Sequence, residues 1–132
     1  AAATPLASSS SVAGLVKHLA LVEDSWFTVR FAGRAEPDDW VDADFEADPD
    51  WEFHTARYEP PELQIERYRR ACADSRDIIA AHALDDRSAV ATGQPAEPFT
   101  LRWAVVHLLE ETARHLGHLD VLRELLDGTT GE

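Results

Sequence analysis

Methionine is absent from the 132 residues, and cysteine and lysine each occur once, as Cys72 and Lys17. One thiol allows no internal disulfide, which excludes a disulfide-stapled secreted scaffold and suits a reducing, cytoplasmic setting. Cys72 itself reads as a small helix residue rather than a reactive thiol. Bases are scarce: 12 stand against 25 acids, a formal charge of -13. So negative a surface repels phosphate backbones and anionic bilayers, so neither nucleic acid nor membrane is an expected partner. No apolar run approaches the ~18 residues that a membrane span needs. The opening AAATPLASSSS lacks both the basic stretch and the continuous apolar stretch of a secretory leader.

What is present suits one globular domain over residues 1–132, with 45% hydrophobic and 28% charged residues. The spacing predicts an all-α chain of three long helices. The first starts after Ser11, a natural N-cap, and runs to about Phe31 before Gly33. Val12, Leu15, Val16, Leu19, Val22 and Trp26 form its apolar stripe. Gly14 inside it costs about 1 kcal/mol relative to Ala, which points to a neighbour packed close. From Ala35 to Pro61 acids alternate with aromatics and no period holds, so a long loop is expected, with one helical turn near Asp38 to Val41. Loops of that length are usually functional, and Trp40, Phe45, Trp51 and Phe53 imply that this one packs down. The second helix follows Pro60-Pro61 and reaches about Leu84. Leu63, Tyr68, Ala71, Cys72, Ile78 and Ile79 make its apolar edge, and Arg67, Arg69, Arg70, Asp74, Arg76 and Asp77 a solvated one. The third spans about Thr100 to Leu126, with Gly128 as its stop.

The third helix carries the chemistry, in VVHLLEETARHLGHLDVLRELLDG. At ~100° per residue, Glu111, His115 and His118 lie about 40°, 80° and 20° from His107. That ionisable stripe overlaps the core-facing arc of Leu101, Leu108, Thr112, Leu119, Leu122 and Leu126. A carboxylate on such an edge needs a cation or a donor. Glu111 and His115, four apart, stand one above the other and can grip one ion without distorting the helix. His18, in VKHLALVE of the first helix, can supply a third ligand. Two histidines and a carboxylate with open positions suit zinc first, with nickel or iron as alternatives. Spacing alone leaves a simple Glu111–His115 hydrogen-bonded pair as an equal reading, and His18 as a structural histidine. His107 and His118 read as rim residues and Glu23 as an additional acid, all three candidates for proton transfer. His54 and His82 read as solvated.

VKHLALVE followed by LRWAVVHLLEETARHLGHLDVLRELLDG resembles the DinB/YfiT-like superfamily of metalloenzymes, over about two thirds of the chain. The branch is similar to actinobacterial DinB-like domains, and the Arg-over-Lys skew is that of a GC-rich genome. The resemblance implies a four-helix bundle with the metal on His18, Glu111 and His115. Glutamate at position 111 is the variant of the mycothiol-dependent maleylpyruvate isomerases, so a two-His, one-Glu zinc-type site is implied. It also implies a thiol such as mycothiol as co-substrate, a small electrophile as its partner, and S-transfer or isomerisation as the reaction. A non-catalytic metal- or ligand-binding bundle is the alternative. The family fold places a long helix before the one bearing the first histidine, and only about twelve residues precede that helix here. The expectation is therefore an N-terminally incomplete bundle with an apolar seam open to water, or a homodimer that covers it.

Overall fold

A computed structural model describes residues 11–128; residues 1–10, on which the expectation about a leader rests, lie outside it. Four α-helices order the described chain: α1 (Val12–Glu23), α2 (Trp51–Ala56), α3 (Pro61–Ala80) and α4 (Leu101–Asp127). The described residues form no strand, only two isolated bridges, Arg87 with Thr100 and Thr92 with Glu97. No helix among them is long and apolar enough to cross a membrane.

α1 is the rod on which the others pack, touching α2, α3 and α4. Ser11 caps it as expected, its hydroxyl accepting from the Gly14 N–H at 3.1 Å. Its burial exceeds one stripe: Gly14, Leu15, Lys17, Leu19, Ala20 and Val22 are all enclosed. Past Glu23 the winding changes. Asp24–Phe31 is π-helical, and the Ala32 N–H reaches back five residues to the Phe27 carbonyl at 2.9 Å. The periodicity predicts the extent of this segment but gives no sign of the wider turn, a form found mostly at functional sites.

The acidic region does pack down, and it contains more order than its aperiodic sequence suggests. Asp38–Trp40 is a 3-10 turn, and α2 is a helix that the charge pattern conceals. Trp40 is 1% exposed, and its indole N–H donates to the Asp24 carboxylate at 2.8 Å. Arg70 donates to both Asp24 oxygens, at 2.8 and 2.9 Å, and to Asp39 at 2.7 Å. Arg67 donates to Asp39 at 3.1 Å and to Glu59 at 2.9 Å. Buried Lys17 bonds Thr55 at 2.7 Å and pairs with Glu59. Here the sequence expectation needs correction. Arg67 is buried and Arg70 half-buried, because buried Asp24 and the loop acids require partners inside the fold.

α3 ends at Ala80, four residues short of the expected Leu84. α4 agrees closely with its prediction: Thr100 caps it by accepting from the Trp103 N–H, and Gly128 takes the left-handed conformation at φ 75°. One core cluster joins Val22, Phe27 and Phe31 to Ile78 of α3 and to Phe99, Leu101, Ala104 and Leu108. A smaller one seats Trp40 against Ala20 and Ala71. The outer side of α4 leaves Trp103, Val106, Leu109, Leu116, Val121 and Leu125 exposed.

Gly14 is the point at which α2 touches α1. A Cβ there would lie 2.8 Å from Phe53 Cδ1 and 3.3 Å from the Phe53 Cα. Gly14→Ala should therefore destabilise the fold by about 1–3 kcal/mol despite alanine's better helix propensity, the cost of overpacking. Urea unfolding measures it; equal or greater stability would show that α2 is not seated on α1 in this way.

Candidate metal centre

α1 and α4 run antiparallel, so that His18 meets His115 while Trp26, two turns on, meets His107. The Glu111 Oε2 lies 3.8 Å from His18 Nε2 and 3.3 Å from His115 Nε2. One ligand atom from each of the three residues lies within 4.8 Å of the others. Ligands placed about 2.0–2.1 Å from a tetrahedral zinc ion are roughly 3.3–3.4 Å apart, so the three heads need shift little to share one ion. All three side chains are partly buried, between 15% and 22% exposed, and an ion there would keep open positions toward solvent or substrate. Burial, followed by the neighbouring His18, holds the His115 imidazole below its ordinary pKa. It is thus neutral at neutral pH, as a ligand must be. Its Nδ1 is buried without a partner.

His18 is oriented from the far side. Its Nδ1 lies 2.8 Å from Glu52 Oε1. A carboxylate only accepts, so Nδ1 carries the hydrogen, and Nε2, on the Glu111 side, is the nitrogen placed to ligate an ion. The ring also stacks on Phe53 at 5.3 Å between centroids. Carboxylate–histidine–metal chains of this kind fix both tautomer and ring angle. Glu52 and Phe53 both come from α2. Sequence reasoning missed Glu52, one of ten acids between Ala35 and Pro61, and only its place between Trp51 and Phe53 hints at burial.

The three residues expected to move protons are placed differently from the ligands. Glu23 turns to α3, where its carboxylate accepts from Ser75 at 2.7 Å and from Cys72 at 3.8 Å; burial raises its pKa. His107 stacks on Trp103 at 4.8 Å and meets Trp26 edge-on at 5.0 Å. His118, one turn past His115, is near enough for its charge to act on that imidazole. His54 is tied to Asp48 at 2.8 Å, and His82 to the Ile78 carbonyl at 2.8 Å.

A family model described as Mycothiol-S-transferase matches residues 1–128. Comparisons with curated proteins and with solved structures found no match.

If Glu52 orients His18, Glu52→Ala should weaken zinc binding about 10–100-fold, and Glu52→Gln, which keeps an accepting oxygen, should recover part of the loss. Competition against a chromophoric chelator measures both. Equal affinities in all three proteins would reduce Glu52 to a packing residue.

Proposed function

The chain belongs to the mycothiol-S-transferase family, one of the DinB/YfiT-like group, and on that premise we propose a divalent-metal-dependent enzyme that transfers a low-molecular-weight thiol, mycothiol, to an electrophile. The convergence of His18, Glu111 and His115 on one point supports this reading. Zinc fits the donor set best, two imidazoles and one carboxylate with room for a further ligand. A cation held there supplies positive charge that lowers the pKa of a thiol or water at neutral pH.

The chain's own residues do the rest. Glu52 fixes the His18 ring so that Nε2 faces inward, while His115, whose pKa burial lowers, and the Glu111 carboxylate complete the set. In the transfer, the thiol sulfur forms a bond to the electrophilic carbon as the bond to the leaving group breaks. The thiol proton needs an acceptor near the sulfur, and we assign that role to His118, one turn along α4 from His115. His107 is held between Trp26 and Trp103 and Glu23 is engaged by α3, so neither receives a role in this scheme. The loop that brings Trp40 and Phe45 beside α1 shapes the approach from the α2 side.

Protein purified without a histidine tag should hold about one zinc per chain and conjugate mycothiol to a bimane electrophile well above the uncatalysed rate. Chelation should abolish turnover and zinc should restore it. His18→Ala and His115→Ala should each lower both metal content and turnover at least tenfold. A zinc-loaded protein without turnover would support the non-catalytic metal-binding bundle instead.

The ligand set also predicts a stability effect. Zinc bound only by the folded state should raise the melting temperature, by about 2.7 kcal/mol of stabilisation at a free concentration 100 times Kd. Glu111→Ala should remove most of that increment in a thermal scan, and an increment that survives would place the ion elsewhere.

A further inference from the structure

α4 has two faces of different character. Its inner arc carries Glu111 and His115 onto α1. On the opposite side, roughly 160° round the helix at ~100° per residue, Val106 is 58% exposed, Leu109 65% and Leu116 53%. Exposed Ala113 lies among them. Single apolar side chains on a surface are ordinary, whereas a contiguous row along one helix face marks a contact.

The row has heptad spacing. Arg102, Val106, Leu109, Ala113, Leu116 and Asp120 follow one another at intervals of four, three, four, three and four, the alternation that keeps one seam turned toward a second helix. Apolar residues fill the four inner positions, and opposite charges close the two ends. From Arg102 to Asp120 the seam is about 27 Å long.

The charged ends decide which partner fits and how it lies. A second α4 set antiparallel, with a two-fold axis at the level of residue 111, places Val106 against the partner's Leu116 and Leu109 against the partner's Ala113. Arg102 then faces the partner's Asp120. Every contact recurs by symmetry, as in any interface between identical patches, and the small Ala113 gives room to the leucine opposite it. A parallel pair would set Arg102 on Arg102 and Asp120 on Asp120. A slide by one heptad would set Asp120 on Leu109 or Arg102 on Ala113. Only the first register neutralises both ends. Within the chain Arg102 pairs with Asp85, both more than half exposed, and so open a contact holds the guanidinium weakly.

We propose that α4 pairs antiparallel with α4 of a second copy through this row, making the protein a homodimer whose two candidate metal centres face away from the interface. The sequence expectation of a homodimer thereby acquires a surface and a register. The inference is independent of the transfer chemistry, since none of these six residues belongs to the candidate metal set.

Sedimentation velocity across a concentration series tests it, at about 0.15 M salt, where repulsion between two chains of net charge -13 is screened beyond ~8 Å. The parent should sediment as a dimer that dissociates on dilution. Leu109→Glu should raise the dissociation constant at least tenfold with far-UV circular dichroism at the parent level, because the side chain is exposed in the single chain. Arg102→Asp and Asp120→Arg should each do the same by setting like charges against each other. Both reversals in one chain should bring the constant back to within about threefold of the parent, a recovery that only the antiparallel register gives. Should Leu109→Glu fail to fold, the two charge reversals carry the test by themselves. A parent that is monomeric at every concentration up to about 100 μM, a folded Leu109→Glu that associates as the parent does, or a double reversal without recovery overturns the proposal.

Discussion

The imidazole of His18 is tied at one nitrogen and turned toward α4 with the other, and the arrangement of the molecule follows from that. Nδ1 is fixed by Glu52 of α2, and Nε2 faces Glu111 of α4. Each contact needs α1 to be covered on two sides at once, which explains why α1 is the enclosed rod. Gly14 has no side chain because Phe53 occupies its space, and Phe53 in turn stacks on His18. A short helix in an acidic loop therefore positions a candidate metal ligand that is far from it in sequence.

Charge explains how that loop is held. In a chain of net charge -13, three of the few cations are spent internally. Lys17 pairs with Glu59, Arg67 with Glu59 and Asp39, and Arg70 with Asp24 and Asp39. Burial lowers the Lys17 pKa, and the Glu59 contact opposes that shift. Buried ion pairs of this kind add little net stability over an apolar core, but losing one partner is costly. Their effect here is to fix which loop acids turn inward, and hence where α2 lies. The network sets three cations against three acids, so the surface outside it keeps the whole charge of -13, which disfavours an anionic substrate.

Much of this was legible from residues alone. The Ser11 N-cap, the stop at Gly128 and the three long helices follow from local rules, while Thr100, expected only as the approximate start of the third helix, proves to be its cap. Helical angles allow His18 to meet Glu111 and His115 but leave a simple Glu111–His115 pair open, and it is the resemblance to the DinB/YfiT-like superfamily that implies the full set. α2 was hidden because only two aromatics and one alanine of its six residues are apolar, too few to show a period. Arg67 and Arg70 read as solvated because sequence cannot show that Asp39 and Glu59 turn inward onto Arg67, or that buried Asp24, 46 residues away, meets Arg70. Glu52 had no local mark beyond its place between Trp51 and Phe53. Its role exists only once α2 is docked on α1. The π-helical segment likewise leaves no mark in the apolar periodicity.

The central claim is that one divalent ion is shared by two helices through His18, Glu111 and His115. Diffraction from zinc-loaded crystals on both sides of the zinc absorption edge tests it most directly. The account predicts a single anomalous peak about 2.0–2.2 Å from His18 Nε2, His115 Nε2 and a Glu111 oxygen, with Glu52 still on His18 Nδ1. A peak bound only to surface histidines, or none while the three side chains stand apart, would contradict it.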